Sequence, residues 1–204
     1  MNKVSILAIF EKKKQWWQYN EYLSVLLAVG SLEMAYVCKI ASLEEMERKW
    51  NAEILRNIDE KDNWVAWKAE AMENEINHCS VTCYGILDDQ IICEATAIIL
   101  PGKPQNDEGL VDDQTAYLCA FRTMEEYRGQ GFFSKLLNFL FENLRSRGFK
   151  RATVGVEVGD ETNLQIYRHF GFVHYVKQGR ETYPDGTAID VRYYAKTLGK
   201  RKNE

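Results

Sequence analysis

The stretch EEYRGQGFFSKLL, residues 125–137, decides the fold of this chain. Its two glycines, Gly129 and Gly131, stand between an apolar run that ends near Thr123 and an amphipathic pattern that begins at Phe132. Glycine is unfavourable inside a strand or a helix, so two of them at this junction indicate a special turn or the close approach of another group. The first turn of a helix also carries unpaired N–H groups and a partial positive charge. We therefore predict a backbone anion site of the pyrophosphate type here.

A structural tight turn requires glycine as well, so the glycines alone do not settle the role of this loop. Arg128 and Lys135 add positive charge at its rim. The other phosphate-binding patterns, GxxxxGK[ST] and GxGxxG, do not occur in the sequence.

The hydrophobic pattern on both sides of the loop predicts a mixed α+β domain. Strands are expected at 34–40, 116–123 and 151–158, with one hairpin over 79–100 that turns at Asp88–Asp89 and another over 172–198 that turns at YPDGT. Helices are expected from the capping box of Ser42 and Glu45 to about residue 58, then to residue 75, over 132–147 and over 161–170. The strand–helix–strand unit from 116 to 158 predicts a right-handed crossover between parallel strands. The result is a mixed, mostly antiparallel sheet with helices on both faces.

Composition narrows the class of protein. The chain has 204 residues and a net charge of −4 with acids and bases intermixed, which disfavours a nucleic-acid partner. Three histidines show no metal-ligand spacing, so no metal site is expected. Five cysteines without a CxxC pattern favour free thiols in a reducing cytoplasm; they are Cys38, Cys79, Cys83, Cys93 and Cys119.

The two ends fall outside this pattern. Residues 1–33 lack the features of a signal peptide, and their apolar run YLSVLLAVG is too short to cross a bilayer. We expect a cytoplasmic protein without a membrane partner, in which Trp16 and Trp17 pack on the domain or on a second subunit, as in a homodimer. The alternative is that these tryptophans touch a membrane surface. Residues 199–204 form a basic tail.

At this point two motifs resemble one family. EEYRGQGFFSKLL resembles the acetyl-CoA pyrophosphate loop of the GNAT N-acetyltransferases, Gln/Arg-x-x-Gly-x-Gly/Ala, with Glu126 in the place of Gln/Arg and with Gly129 and Gly131 as the glycines. NLQIYRHFGF, residues 163–172, resembles the second signature, which contains an Asn, a Tyr and Gly-Phe. The resemblance covers about 34–198, so residues 34–198 are expected to be the acetyltransferase domain.

The resemblance implies a three-layer α/β/α fold whose central sheet splays open, with acetyl-CoA as co-substrate in the gap. Phe121 and Thr123 would then offer backbone groups to the pantetheine arm. The implied pyrophosphate loop comprises Arg128, Gly129, Gln130, Gly131 and Phe132. Asn163 would either order its short helix or touch the pantetheine arm.

Acetyl transfer needs an amine free base and a proton for the departing thiolate. An alkyl amine with a pKa of about 10.4 lies about 3.4 units above neutral, so its free base costs about 4.6 kcal/mol. By the resemblance Tyr167 is the expected acid, unless it only packs its helix on the sheet. Glu94 is the candidate base, because a carboxylate in the apolar strand IICEATAIIL is costly unless it has a purpose. It faces either the cleft or solvent, and Glu157 is the second candidate.

The predicted function is acetyl-CoA-dependent N-acetylation of a primary amine on a small molecule or a peptide. The alternatives are another acyl donor, an aminoglycoside-type acceptor, or a non-catalytic acyl-CoA-binding or dimerisation module on the same fold.

Overall fold

The computed structural model describes residues 35–100 and 109–199. The expectations for residues 1–33 and for the tail at 200–204 lie outside these ranges. The described elements in chain order are β1 Tyr36–Ile40, α1 Leu43–Arg56, α2 Lys61–Ile76, β2 Ser80–Leu87, β3 Gln90–Ile98, β4 Thr115–Thr123, α3 Phe132–Ser146, β5 Arg151–Glu157, α4 Glu161–His169, β6 His174–Thr182 and β7 Ala188–Thr197.

The strands form one seven-stranded sheet in the order β1-β2-β3-β4-β5-β7-β6. Only β4 and β5 pair in parallel, and the other neighbours pair antiparallel. The predicted fold class, a mixed and mostly antiparallel sheet between helices, is therefore confirmed. Among the helices of the described ranges, none is long and apolar enough to cross a membrane.

Local signals in the sequence account for the ends of several elements. The capping box at the start of α1 is present, since the Ser42 side chain accepts from the Glu45 N–H and the Glu45 carboxylate accepts from the Ser42 N–H. At the β2–β3 turn Asp88 and Asp89 both adopt positive φ, as a two-residue type I′ hairpin requires. The first helix ends at Arg56, slightly before the expected end near residue 58, and a 3₁₀ turn at Ile58–Glu60 separates it from α2.

The two faces of the sheet carry separate cores. On one face α3 buries its entire apolar stripe, which contributes on the order of 10 kcal/mol; the stripe is Leu136, Leu137, Leu140, Phe141 and Leu144. The α4 residue Leu164 belongs to the same cluster. On the opposite face α1 and α2 cover a smaller cluster that contains Trp50, Trp64 and Tyr84.

The sheet opens where β4 and β5 part. Their parallel pairing runs only from Thr115–Arg151 to Leu118–Val154, although β4 continues to Thr123 and β5 to Glu157. Beyond Leu118, β4 has no strand partner on its β5 side within the described residues. This is the predicted splay of the central sheet.

A bulge in β4 changes which way its side chains face. Ala120 has φ +52°, and the β3–β4 register slips there, because two residues of β4 lie opposite one residue of β3. Before the bulge Leu118 packs on the α3 side, and after it Phe121 does. Arg122 is thereby directed to the α1–α2 side, where it stacks on Trp64. Strict alternation from Leu118 would have placed Arg122 on the α3 side.

A long-range contact fixes the β6–β7 turn to α2. The buried side chain of Asn63 donates to the Asp185 carboxylate at 2.8 Å and accepts from the Asp185 backbone N–H at 2.8 Å. Next to it the Trp67 and Tyr183 rings meet edge to face, 5.3 Å apart. The turn is thereby held over the end of the helix pair.

We expect Asn63→Ala to lower the free energy of unfolding by about 1–3 kcal/mol, because two hydrogen bonds at a buried amide are lost. Urea unfolding at equilibrium measures this change. Asn51→Ala on the exposed face of α1 is the matched control and should stay within about 0.5 kcal/mol of the parent. Equal changes in the free energy of unfolding for the two substitutions would show that the contact between Asn63 and the turn does not stabilise the fold.

Candidate active site

A cleft with a volume of about 1770 Å³ opens at the splay. The glycine loop and the start of α3 form one end of it, and α1, α2 and Tyr183 form the other. Phe121, Arg122 and Thr123 of β4 run between the two ends. The cleft thus connects the loop to the helix pair along the unpaired edge of β4.

The glycine loop has a backbone that is open to an approaching group. Gly129 and Gly131 adopt positive φ, +73° and +82°, and a Cβ built at either would meet nothing within 4 Å among the described residues. The first helical hydrogen bond of α3 runs from the Lys135 N–H to the Gly131 carbonyl. The preceding N–H groups of the first turn therefore have no helical acceptor. This end of the cleft fits a pyrophosphate.

Side chains around the loop hold it in place. The Arg128 Nε donates to the Thr123 carbonyl at 3.1 Å, and the Gln130 Nε2 donates to the Glu126 carbonyl at 2.8 Å. The Tyr36 hydroxyl donates to the Phe132 carbonyl at 2.9 Å, across the sheet from β1. The ring of Tyr36 reaches this point because it lies over Gly85, where a Cβ would come within 2.0 Å of the hydroxyl.

Aromatic rings surround Tyr167 on the α3 side of the cleft. Its ring lies 5.6 Å from that of Phe121 and 6.4 Å from that of Phe172. Burial, with a smaller contribution from the Asp160 charge, raises the pKa of Tyr167 to about 12. The phenol therefore keeps its proton throughout the neutral range. One turn earlier in α4, the Asn163 amide donates to the Asp160 carboxylate at 2.6 Å, and the Asn163 N–H donates to the same group.

A buried ion pair lies on the opposite side of the cleft. Glu94 faces α1, where its Oε2 accepts from the Lys49 ammonium, and both side chains are almost fully removed from solvent. Burial lowers the pKa of Lys49, and the charge of Glu94 opposes that effect. Of the two orientations left open for Glu94, the structure shows the one towards the cleft, because the side chain lies buried on the cleft wall.

Next to this pair a stacked arginine completes the wall. The Arg122 guanidinium lies 4.1 Å from the centre of the Trp64 ring, and its Nη1 is 3.9 Å from the Glu53 carboxylate. Glu94 and Arg122 are direct partners in the β3–β4 register. The rings of Trp67 and Tyr183 extend the wall outwards.

A search for related proteins identifies the fold. The model of the acetyltransferase (GNAT) family matches residues 42–172, well over half of the chain. The chain belongs to the GNAT acetyltransferase family. The predicted family is confirmed, and with it, at the level of the family, the prediction of an acetyltransferase that uses acetyl-CoA as its co-substrate.

Three relatives illustrate the range of this GNAT fold. N-alpha-acetyltransferase 30 of Schizosaccharomyces pombe is 31% identical over 71 residues, which are 35% of this chain and 47% of that protein. The chain therefore spans about half the length of this curated relative. A ribosomal-protein-alanine N-acetyltransferase from Brucella melitensis has a TM-score of 0.58 at 17% identity, over 79% of this chain and 99% of its own. The protein yncA of Salmonella typhimurium, solved with its cofactor acetyl-CoA, has a TM-score of 0.57 at 14% identity, over 83% and 98%.

The structure brings most of the sequence-predicted site residues of this GNAT domain to the one cleft. Those that line it are Glu94, Phe121, Thr123, Arg128, Gly129, Gly131, Phe132, Asn163 and Tyr167. Gln130 instead turns back onto the loop. Glu157 is exposed at the end of β5 and does not line the cleft.

Sequence reasoning missed Lys49, Arg122 and Tyr36. A charged residue inside the apolar strand AYLCAFRT is the same signal that singled out Glu94, so Arg122 was detectable. Lys49 has no such signal, because it occupies a position in α1 that resembles any exposed helical lysine. Tyr36 becomes visible only when β1 is placed beside Gly85.

We expect Lys49→Met and Glu94→Gln each to cost about 3–5 kcal/mol of stability, because either one leaves a buried polar partner without its ion pair. The double variant should cost at least about 2 kcal/mol less than the sum, since neither charge then remains. Chemical unfolding of the four proteins measures this coupling energy.

The exposed pair Arg180–Asp190, whose side chains are 67% and 50% accessible, is the matched control. The cycle of Arg180→Met and Asp190→Asn should give a coupling of less than about 1 kcal/mol. A coupling for Lys49–Glu94 as small as this would contradict a tight buried pair.

Proposed function

We propose that this chain transfers the acetyl group of acetyl-CoA to a primary amine of a small molecule or a peptide. The observation that carries the proposal is a single cleft with an open glycine loop at one end and the buried groups of Tyr167 and Glu94 on facing walls. Membership in an acetyltransferase family supports it. The relative from Schizosaccharomyces pombe, named for an N-alpha-acetyltransferase, supports an amine as the acceptor.

The glycine loop is proposed to hold the pyrophosphate. The N–H groups of the first turn of α3 face the cleft end, and the absence of side chains at Gly129 and Gly131 lets an anion approach them. Arg128 and Gln130 act on the loop itself, because their side chains bond to backbone carbonyls. Phe132 is held by Tyr36, so the donors are fixed before the anion arrives.

The free edge of β4 is proposed to hold the pantetheine arm. The backbone groups of Phe121 and Thr123 lie on the edge of β4 from which β5 has separated. A thioester bound along this edge would supply the activated acetyl group. Asn163 belongs to the helix that closes this side, where its amide bonds to Asp160. We assign it to ordering α4.

Tyr167 is proposed to hydrogen-bond the departing thiolate. With a pKa of about 12 it is fully protonated at neutral pH and always offers the donor. Complete transfer from such a weak acid to a thiolate is unfavourable, since thiols have a pKa of about 8.5. Overall, the acceptor nitrogen loses one proton when it is acetylated, and the thiolate gains one proton to become the free thiol.

Glu94 is proposed to accept the proton of the acceptor amine, directly or through water. Its Oε2 already accepts from Lys49, so the ammonium of Lys49 holds the carboxylate in a fixed orientation. The pair therefore supplies a fixed base on the wall that faces Tyr167 across the cleft.

The binding half of the proposal is tested with Gly129→Val. A branched side chain at φ +73° has room in the fold but occupies the space of the anion, so acetyl-CoA affinity should fall at least tenfold while the Tm changes by only a few degrees. Isothermal titration with acetyl-CoA measures this. Unchanged affinity would remove the loop from the site.

The transfer half is tested with a panel of amines and detection of free thiol. Thiol release that depends on the amine supports an N-acetyltransferase. Acetyl-CoA binding without release for any amine would instead support a non-catalytic acyl-CoA-binding module.

We expect Tyr167→Phe to lower kcat about 10²-fold with little change in acetyl-CoA affinity, because a hydrogen bond to the developing thiolate is lost while the ring packing remains. Because the pKa of Tyr167 is about 12, the parent enzyme should show no alkaline fall in kcat from this group below about pH 11. Steady-state kinetics across pH measure both. A kcat of the variant equal to that of the parent would leave Tyr167 a packing residue. If kcat of the parent fell near pH 9 and this fall were absent in Tyr167→Phe, the raised pKa would be contradicted.

A further inference from the structure

The α1–α2 face of the sheet contains hydrogen-bond donors that have no acceptor, and two of the residues that carry them, Trp64 and Arg122, line the cleft. Within residues 35–100 and 109–199 the buried side-chain atoms without a hydrogen-bond partner are Trp50 Nε1, Trp64 Nε1, Tyr84 Oη, Arg122 Nη1 and Asn143 Oδ1. The first four lie on this one face of the sheet, and the Asn143 oxygen belongs to α3. All four on this face can donate, and three of them can only donate.

These donors form one cluster rather than scattered exceptions. The Trp50 and Trp64 rings are 6.1 Å apart, and the Arg122 guanidinium lies 5.7 Å and 4.1 Å from their centres. Trp50, Trp64 and Tyr84 are each more than nine-tenths buried. Buried donors are normally satisfied, so a cluster of unpaired ones that reaches the cleft at Trp64 and Arg122 points to a ligand there.

The carboxylates nearby do not supply the missing acceptors. Glu94 is engaged by Lys49, and Glu53 is 3.9 Å from Arg122, which is beyond hydrogen-bond distance. The wall therefore keeps unpaired hydrogen-bond donors, although the charges of Lys49 and Arg122 are matched by those of Glu94 and Glu53. The ligand chemistry that complements it is a carbonyl or carboxylate oxygen.

The position of Arg122 places this oxygen beside the reacting nitrogen. Arg122 follows Phe121 on the free edge of β4 and is the register partner of Glu94, the proposed base. About a third of its side chain remains exposed, on the cleft that it lines. A guanidinium held over the Trp64 ring is pre-organised for a planar oxygen acceptor.

We propose that Arg122, supported by Trp64, binds a carbonyl or carboxylate oxygen that lies within a few bonds of the acceptor amine. This inference rests on the proposed function and narrows its acceptor to α-amines of amino acids and peptides, in preference to amines without such an oxygen. The rings of Trp64, Trp67 and Tyr183 offer an apolar wall to the side chain of that acceptor.

Two probe amines test the inference, L-phenylalaninamide and 2-phenylethylamine, which differ only in the carboxamide. Their kcat/KM values are compared per concentration of free base over a pH series, because an α-amine has a lower pKa than an alkyl amine. The parent enzyme should prefer the amide by at least tenfold. Arg122→Met should reduce this preference 10–100-fold, since it removes hydrogen bonds from a charged donor and keeps an unbranched apolar chain over Trp64.

Arg56→Met is the matched control, because Arg56 lies on the same cleft, also contacts Glu53 and is largely exposed. It removes the same charge and should leave the preference within twofold of the parent. Arg122→Lys keeps the charge but lacks the planar guanidinium, so it should lose most of the preference for the amide. It replaces Arg122→Met if that variant does not fold. An unchanged preference in the folded Arg122 variants overturns the inference.

Binding provides a readout that does not depend on turnover. Isothermal titration of each probe into the protein saturated with coenzyme A should show tighter binding of the amide, and Arg122→Met should abolish the difference. If neither probe is acetylated but this difference is found, the proposed function fails and the oxygen subsite stands. If acetylation occurs and the two probes bind equally, the subsite fails and the proposed function stands.

Discussion

The left-handed backbone of Ala120 is the constraint on which the cleft depends. A non-glycine residue at φ +52° costs about 1–2 kcal/mol, and here it produces the bulge that reverses the facing of β4. Phe121 then packs with Phe133 and Tyr167, and Arg122 packs with Trp64. Because β4 also leaves β5 at Leu118, the reversed segment is the one that borders the open gap. Without the bulge Phe121 and Arg122 would each face the opposite wall of the cleft.

The two walls differ in polarity, and each is built from one helical layer. The α3–α4 side consists of aromatic rings around a phenol whose pKa is raised by burial. The α1–α2 side holds the Lys49–Glu94 pair and the stacked Arg122, which makes it the polar half. Charges this deeply buried are stable only with fixed partners, so the polar half is as rigid a part of the fold as the apolar half.

The glycine loop and the β6–β7 turn are both held by contacts between residues that are far apart in the chain. Tyr36 reaches Phe132, and Asn63 reaches Asp185, so β1 supports one end of the cleft and α2 closes the other. Solved relatives at 14–17% identity keep this fold, which indicates that its topology tolerates very different side chains. A fold that is shared at such low identity does not set the function, which depends on the side chains of the individual site.

The sequence by itself determined the elements, the parallel crossover, the glycine loop and the family, because these follow from hydrophobic periodicity, capping residues and two local motifs. It also identified Glu94 and Tyr167 as candidates, since a carboxylate in an apolar strand and a tyrosine in a signature are visible without coordinates. Only the tertiary structure decided the partner of Glu94, the facing of Arg122 and the role of Tyr36. The partner of Glu94 and the role of Tyr36 depend on residues tens of positions apart in the chain. The facing of Arg122 depends on the backbone conformation of Ala120, which no local pattern predicts.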